Sequence, residues 1–156
     1  MTDTPPLHRR APVPMDDCAM AHAVQQVPDK WTWLILRQLM FGVGRFADIQ
    51  SELGIPKSVL AARLAAMTDN GLIDKSPYRD DGARTRHAYV LTRKGRKFIP
   101  VLLALLHWGE AFTQAPAGKL TLTDRRTGDA LRVALGPDGS QVPLRRLRLD
   151  AMDDGA

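Results

Sequence analysis

Residues 46–71, FADIQSELGIPKSVLAARLAAMTDNG, contain the clearest structural pattern in the chain. Their apolar residues recur at helical spacing, which predicts a short helix over about 46–53 and a second helix over 57–70. Gly54 lies between the two helices and favours a tight turn, and Gly71 suits the position after a helix end, where a left-handed conformation costs glycine least. Two helices joined in this way are typical of a helix-turn-helix unit.

The second helix of this unit has two different faces. At 100° per residue, its large apolar side chains Leu60, Leu64 and Met67 fall on one side, which indicates the face that packs on a core. The opposite face is built from small residues that would allow close approach to a DNA groove: Ser58, Ala61, Ala62 and Ala65. The same pattern also fits an ordinary alanine-rich face exposed to solvent, so patterning alone leaves both interpretations open.

A β-hairpin is predicted directly after these helices. Residues 72–78 and 86–91 have strand character, and Asp81-Gly82 between them is a strong hairpin signal. A hairpin at this position is typical of a wing, which reaches phosphates beside the recognition helix. Thr92 is expected to cap a long helix that ends at about Phe112, in which Pro100 predicts a kink or a restart.

Two further helices are expected before the helix-turn-helix. Asp16 and Asp17 offer N-caps for a first helix that ends before Pro28, and Asp29 is expected to cap a largely apolar helix over 30–40. The predicted fold class is therefore α+β: a mainly helical winged helix-turn-helix domain with a hairpin wing.

The chain is expected to divide into three parts. Residues 1–15 carry four of the eleven prolines and predict a disordered arm, and residues 16–113 form the winged helix-turn-helix and dimerisation domain. Residues 119–150 predict a small β-rich appendage, with strands at about 120–123, 131–135 and 142–149. Three arginines in the appendage could add DNA or partner contacts, although a solvated strand face is the favoured interpretation: Arg145, Arg146 and Arg148.

The charge of the chain is concentrated around the predicted wing. The 156 residues include 22 Lys+Arg and 17 Asp+Glu, a formal charge of +5. Residues 74–97 contain eight basic and three acidic side chains, so this segment alone accounts for the surplus. Arg84 and Arg86 are two residues apart on a strand and are expected to share a face. A basic wing favours nucleic acid as partner, while a solvated charged loop is the simpler alternative.

Several segments together resemble the HxlR-type winged helix-turn-helix transcriptional regulators of the MarR-like superfamily. The resemblance covers about residues 18–112 and rests on the following segments: 29-DKWTWLILRQL-39, 44-GRFADI-49, 54-GIPKSVLAARL-64, 70-NGLI-73, Tyr78, 89-YVLT-92, Gly95 and 108-WG-109. It implies a bacterial homodimer built on the terminal helices, which binds double-stranded DNA at a pseudo-palindromic operator. We interpret the protein as a repressor, while the sequence leaves activation open as the alternative. The protein is then expected in the cytoplasm, associated with the nucleoid when bound.

The resemblance also implies which residues contact DNA. The recognition helix corresponds to 56–70 and the wing to 79–86, and Arg45 is implied to lie near the DNA backbone. The candidate DNA-binding residues are Arg45, Lys57, Ser58, Ala61, Ala62, Arg63, Arg79, Arg84 and Arg86. A winged-helix module that binds another protein without reading DNA is the main alternative.

Cys18, the single cysteine, is a candidate redox switch. It matches the position of a lone N-terminal cysteine with which some relatives sense oxidants or electrophiles. A thiol in the first turn of a helix can be activated, but Asp16 and Asp17 oppose formation of the thiolate. A small buried hydrophobe is the alternative. An enzyme with Cys18 as nucleophile lacks an identifiable base, so we do not expect an enzyme.

The tryptophans and histidines give weaker signals. Trp31, Trp33 and Trp108 are expected to anchor the core and the dimer interface, and a pocket between their helices is the best candidate site for a small-molecule effector. The four histidines share no metal-ligand spacing and one cysteine excludes a Cys-rich zinc site, so no metal and no cofactor are expected. The longest apolar run, 98–106, is too short to span a bilayer, and no membrane partner is expected.

Overall fold

The computed structural model describes residues 13–79, 85–114, 120–133 and 147–151. A single 3₁₀ turn at Met15–Asp17 precedes the first α-helix. The elements then follow in the order α1 (Ala19–Gln26), α2 (Lys30–Met40), α3 (Phe46–Leu53), α4 (Lys57–Asp69), β1 (Ile73–Tyr78), β2 (Arg86–Leu91), α5 (Arg93–Arg96), α6 (Ile99–Phe112), β3 (Leu120–Asp124) and β4 (Leu147–Ala151). This is the predicted α+β winged helix-turn-helix, and no helix in the described ranges is long and apolar enough to cross a membrane.

The helix-turn-helix forms because both of its helix ends are determined locally. Gly54 ends α3 at φ +59°, and the next residue, Ile55, is buried in the turn. At the far end of α4, Gly71 has φ +68°; its amide donates to the carbonyl of Thr68 at 2.9 Å, and the amide of Leu72 donates to that of Met67 at 2.9 Å. These paired bonds are a Schellman motif, which turns the chain from α4 into β1.

The core lies between α2, α3, α4 and the base of the hairpin. The α2–α4 bounds agree with prediction, and the Asp29 carboxylate accepts hydrogen bonds from the amides of Trp31 and Thr32, as a capping residue should. The described residues buried together in this core are Val27, Ile35, Leu36, Leu39, Ile49, Ile55, Leu60, Leu64, Met67, Leu72, Ile73, Leu91 and Leu102.

α6 begins as a separate helix after the short α5. Pro100 lies in its first turn, where a missing amide hydrogen costs nothing, so the predicted restart is confirmed. α6 is apolar on nearly every side but buries only Leu102 and Leu103. Four of its larger apolar side chains form an exposed row at helical spacing, which we call the α6 stripe: Val101, Leu105, Trp108 and Phe112.

Two local predictions are wrong. Asp16 and Asp17 lie in the 3₁₀ turn, so Cys18 rather than an aspartate occupies the N-cap position of α1. The predicted middle strand of the appendage is absent at 131–133, because β3 pairs with β4 and the returning chain makes only one bridge, between Thr123 and Ala130. The predicted arm up to residue 12 and residues 134–146 lie outside the described ranges.

Candidate nucleic-acid interface

The outer face of α4 is small and exposed, as predicted. Leu60, Leu64 and Met67 are at most 2% exposed on the inner face. Ser58, Ala61, Ala62 and Ala65 are all exposed on the other face, and Lys57 is exposed at the start of the helix. No side chain caps α4 at Pro56, so the amides of its first turn are available to an anion. The helix therefore presents a flat surface without bulky side chains, next to a partly positive end.

The wing is an antiparallel hairpin with Tyr78 directly opposite Arg86. Arg86 is exposed, and so is Arg79, whose Nε donates to the hydroxyl of Thr85 at 3.2 Å across the hairpin. The predicted site residue Arg84 lies outside the described residues, so the expected pairing of Arg84 with Arg86 on one face stays a prediction. The described part of the wing thus presents two arginines to solvent.

Arg45 joins the wing through Tyr78. Its guanidinium carbon lies 4.3 Å from the centre of the Tyr78 ring, a cation–π contact, although Arg45 itself is exposed. Tyr78 is also the cross-strand neighbour of Arg86, so Arg45 and Arg86 both lie next to Tyr78, at the loop end of the two strands. Its role as a platform was not anticipated from the sequence; an aromatic residue at a predicted strand end beside arginines was the available signal.

The backbone before α3 holds Arg45 in place. The amide of Tyr89 donates to the carbonyl of Gly44 at 2.7 Å, and Arg45 forms a β-bridge with Ala88. A Cβ at Gly44 would lie 2.2 Å from the Tyr89 carbonyl oxygen, so only glycine allows this approach. The segment behaves as a short third strand that fixes α3 and the wing relative to each other.

Arg63 points toward α2. Its Nε lies 3.2 Å from Oδ2 of Asp29, the capping residue of α2, in an ion pair without hydrogen-bond alignment. The contact links the middle of α4 to the start of α2. Because this guanidinium has a partner inside the protein, it is less available to DNA than those of the wing.

The basic residues after the wing divide into two groups. Lys94 donates to the carbonyl of Asn70 at 2.7 Å and to the Gln26 side chain at 3.2 Å, and Arg96 donates to the carbonyl of Leu91 at 2.7 Å. Arg93 and Lys97 form the second group, and all four of these residues are exposed. All four of these cations lie at the surface, so the expectation that the surplus forms one wing-centred patch stays a prediction. Lys94 and Arg96 additionally bind backbone carbonyls and hold α5 against α4 and β2.

Cys18 lies at the N-cap of α1 with an intermediate exposure. Its carbonyl accepts the amide of His22 at 3.1 Å, and the His22 ring contacts the carbonyl oxygen of Asp16 at 2.7 Å. The thiol is thus neither fully buried in the core nor used as a cap, and whether it reacts stays a prediction.

The three tryptophans are not brought together. Trp33 donates to the carbonyl of Val27 at 3.0 Å and packs edge-on against Phe98 with ring centres 5.3 Å apart. Trp31 is partly buried, with the Lys30 ammonium 4.7 Å from its ring centre, and Trp108 is 57% exposed on the α6 stripe. Trp33 lines a pocket between α2 and α6 whose lining includes neither Trp31 nor Trp108. In the described ranges, no three His, Cys, Asp or Glu side chains are grouped to hold a metal.

Comparisons with known proteins agree with this geometry. An uncharacterised helix-turn-helix-type transcriptional regulator of Mycobacterium bovis is 38% identical over 100 residues, which are 64% of this chain and 62% of that protein. The chain thus matches less than two thirds of the length of this relative. Among solved structures, PA1607, described as a candidate transcription factor, matches with a TM-score of 0.65 and 32% identity over 85% of this chain and 94% of its own.

A second solved structure is that of the transcriptional regulator YodB from B. subtilis in its reduced form, with a TM-score of 0.52 and 25% identity over 62% of this chain and 95% of its own. The model of the family described as HxlR-like helix-turn-helix matches residues 26–116, which is more than half of the chain and includes every element from α2 to α6. The chain belongs to the HxlR-like helix-turn-helix family.

Proposed function

We propose that this protein is a sequence-specific DNA-binding transcriptional regulator that acts as a homodimer and represses its targets. The observation that carries the proposal is the exposed small-residue face of α4 beside exposed arginines at the wing, Arg45, Arg79 and Arg86. A negatively charged duplex fits such a surface, because small side chains let the groove approach while arginines bind phosphate. The names of the M. bovis relative, PA1607 and YodB all refer to transcription.

The proposed contacts fall into two groups. Lys57, Ser58 and the first-turn amides of α4 bind phosphates and orient the helix, while Ala61 and Ala62 contact base edges, mainly thymine methyl groups. The wing arginines, with Arg84 among them, and Arg45 bind backbone phosphates or a narrow minor groove. We leave Arg63 out of the contact set, because its Nε faces Asp29.

Dimerisation is proposed to use the α6 stripe together with exposed apolar side chains of α1. Phe112 and Met20 are each 74% exposed, and Val24 is 56% exposed. Large apolar side chains exposed in this way are typical of an interface. A two-fold dimer would place two recognition helices in successive major grooves about 34–36 Å apart, which requires a pseudo-palindromic operator. Residues 16–113 are the proposed DNA-binding and dimerisation unit, with 119–150 an appendage to it.

The test compares wild-type protein with Arg79→Ala/Arg86→Ala on operator DNA selected from genomic fragments. We expect about 10- to 100-fold weaker binding, and a log–log salt slope reduced by about 2 because two phosphate contacts are lost. Arg125→Ala/Arg132→Ala removes the same charge from exposed positions of the appendage and should leave both quantities unchanged. A promoter that carries the selected operator should be silenced by the wild-type protein in a reporter strain.

If the wing variant bound the operator with unchanged affinity and salt slope, the wing arginines would not be DNA contacts. A protein that selects no DNA but captures a protein partner through α4 would instead support the alternative, a winged-helix module without DNA readout.

Oxidant sensing by Cys18 is a second proposal, supported by the intermediate exposure of the thiol beside the exposed apolar face of α1. Oxidation there would act on the proposed dimer surface. Mild peroxide or quinone treatment should modify Cys18, as detected by mass spectrometry, and change operator binding by wild type but not by Cys18→Ser. Equal, oxidant-insensitive binding by both proteins would overturn this proposal.

A further inference from the structure

A pocket opens between α2 and α6, with β3 at one edge, and we call it the α2–α6 pocket. Its volume is about 160 Å³. Its walls include Trp33 and Phe41 from the α2 side, Leu102 and Leu106 from α6, and Leu120 from β3. Leu120 lies beyond residues 26–116, so one wall of this pocket comes from outside the segment that matches the family model.

Among the described residues that line the pocket, Arg37 is the one that carries a charge. Its Nη1 donates to the side-chain oxygen of Gln38, and its guanidinium carbon lies 5.0 Å from the centre of the Phe41 ring. Both partners are neutral, and no carboxylate in the described part of the chain pairs with this guanidinium. The walls of the pocket are therefore almost wholly apolar, and the exposed residue Arg37 brings a cation without a carboxylate partner in the described ranges to its edge.

The size and chemistry of the pocket together restrict its ligand. A cavity of about 150 Å³ is known to hold a benzene ring, so this pocket accommodates a group of one ring. A carboxylate is the anion that best matches the planar fork of a guanidinium, and it is small enough to leave the remaining volume to an apolar body.

We propose that the α2–α6 pocket binds a small apolar monocarboxylate of about one ring in size, with its carboxylate on Arg37. Its action as an effector rests on the proposed function: Phe41 lies three residues before Gly44, whose carbonyl fixes the wing through Tyr89. A ligand against Phe41 is thus connected to the DNA interface by a short backbone segment.

A second copy of the chain is the competing occupant. Leu105 lines the pocket and also belongs to the α6 stripe, so the pocket borders the proposed dimer surface. If a partner subunit filled the pocket, the affinity for a small ligand would fall as protein concentration rises through dimerisation.

The test titrates the full chain with benzoate, phenylacetate and hexanoate, and with benzamide as the uncharged match of benzoate, followed by tryptophan fluorescence and calorimetry. We expect saturable binding of the carboxylates at millimolar or lower concentration, and benzamide at least about tenfold weaker. Arg37→Gln should lower the affinity for benzoate about tenfold, so that the variant no longer prefers benzoate over benzamide. Leu106→Trp should fill the pocket and weaken both ligands, while Arg125→Gln, an exposed arginine outside the pocket, should change nothing.

Three results would overturn the proposal: no saturable binding of any of the three carboxylates, equal affinity for benzoate and benzamide, or an affinity that declines as the protein dimerises. Circular dichroism of each variant checks that it folds. DNA is absent from this titration, so its failure would leave the DNA-binding proposal intact, and a protein that binds benzoate but no DNA would contradict only the latter.

Discussion

α4 and α6 are both rich in apolar residues, but the side chains on their outer faces differ in size and polarity. α4 buries Leu60, Leu64 and Met67 and presents small residues outward. α6 buries Leu102 and Leu103 and leaves the larger side chains of its stripe exposed, Trp108 at 57% and Phe112 at 74%. The outer face of α4 is compatible with water and with a DNA groove, whereas the α6 stripe calls for a protein or an apolar ligand to cover it.

The largest expected difference concerns the stability of the monomer. Leu64→Ala in α4 should lower the free energy of unfolding by about 2–5 kcal/mol, because the side chain is 1% exposed and its removal leaves a cavity. Leu105→Ala in α6 should cost less than about 1 kcal/mol, since that side chain is 48% exposed. Urea denaturation at low protein concentration measures both. Equal losses of unfolding free energy would mean that Leu105 is buried against another part of the same monomer. The proposed difference between α4 and α6 would then be wrong.

The next effect concerns assembly. Trp108→Glu should weaken the proposed dimer about 30-fold, the effect of losing an interface residue worth about 2 kcal/mol, and sedimentation velocity at several concentrations measures it. Ala47→Glu adds the same charge to an exposed position on α3 and should leave dimerisation unchanged. If the two variants dissociated equally, the α6 stripe would not be the dimer surface.

A smaller effect is expected on the outer face of α4. Ala61→Leu should weaken operator binding about tenfold, because the added bulk separates the helix from the groove, a loss of about 1.4 kcal/mol. The unfolding free energy should change by less than about 0.5 kcal/mol, since Ala61 is exposed. Fluorescence anisotropy with labelled operator measures binding, and Ala130→Leu, an exposed alanine in the appendage, is the matched control. If Ala61→Leu bound the operator with wild-type affinity, the outer face of α4 would not be the surface that contacts DNA.

The smallest effect concerns the contact between α4 and the start of α2. Asp29→Asn keeps an N-cap but removes the charge that faces Arg63, and the pair is partly exposed, so the loss of stability should stay below about 1 kcal/mol. Thermal unfolding at low and high salt measures it, and the difference should shrink in high salt because ions screen the pair. Arg63→Gln should give a smaller loss, because Asp29→Asn also changes Oδ2, which accepts a hydrogen bond from the Thr32 hydroxyl at 3.0 Å. The double variant should add little to the loss in Asp29→Asn. Additive losses would show that Arg63 acts through another contact.

The local signals in the sequence predicted most of the helices and the hairpin. Asp29, Gly54 and Gly71 act within a few residues of their own positions, as a cap and as left-handed turns, and the structure confirms all three. Thr92 was expected to cap the helix after the wing; it does so through the amide of Gly95, but α5 ends at Arg96. The missing strand at 131–133 shows the limit, because strand pairing depends on which distant segment competes for β3.

The candidate site was predicted less completely than the fold. The small face of α4 followed from helical periodicity alone. The number of positive charges around the wing also followed from the sequence. The partner that each cation contacts did not, because that partner depends on which groups the fold brings within a few ångströms. Lys94 and Arg96 meet backbone carbonyls, Arg63 meets Asp29, and Arg45 meets the Tyr78 ring. None of these partners is close in sequence except that of Arg96, so no pattern in the chain pointed to them.

Most of the secondary structure, the family and the two faces of α4 were thus already present in the order of the residues, since periodicity, caps and turns depend on neighbours a few positions apart. The three-dimensional packing settled which arginines are left to solvent, that Gly44 meets Tyr89, and that Arg37 borders an apolar pocket between α2, α6 and β3. Those features join segments that are tens of residues apart, and only the folded chain brings them within contact distance.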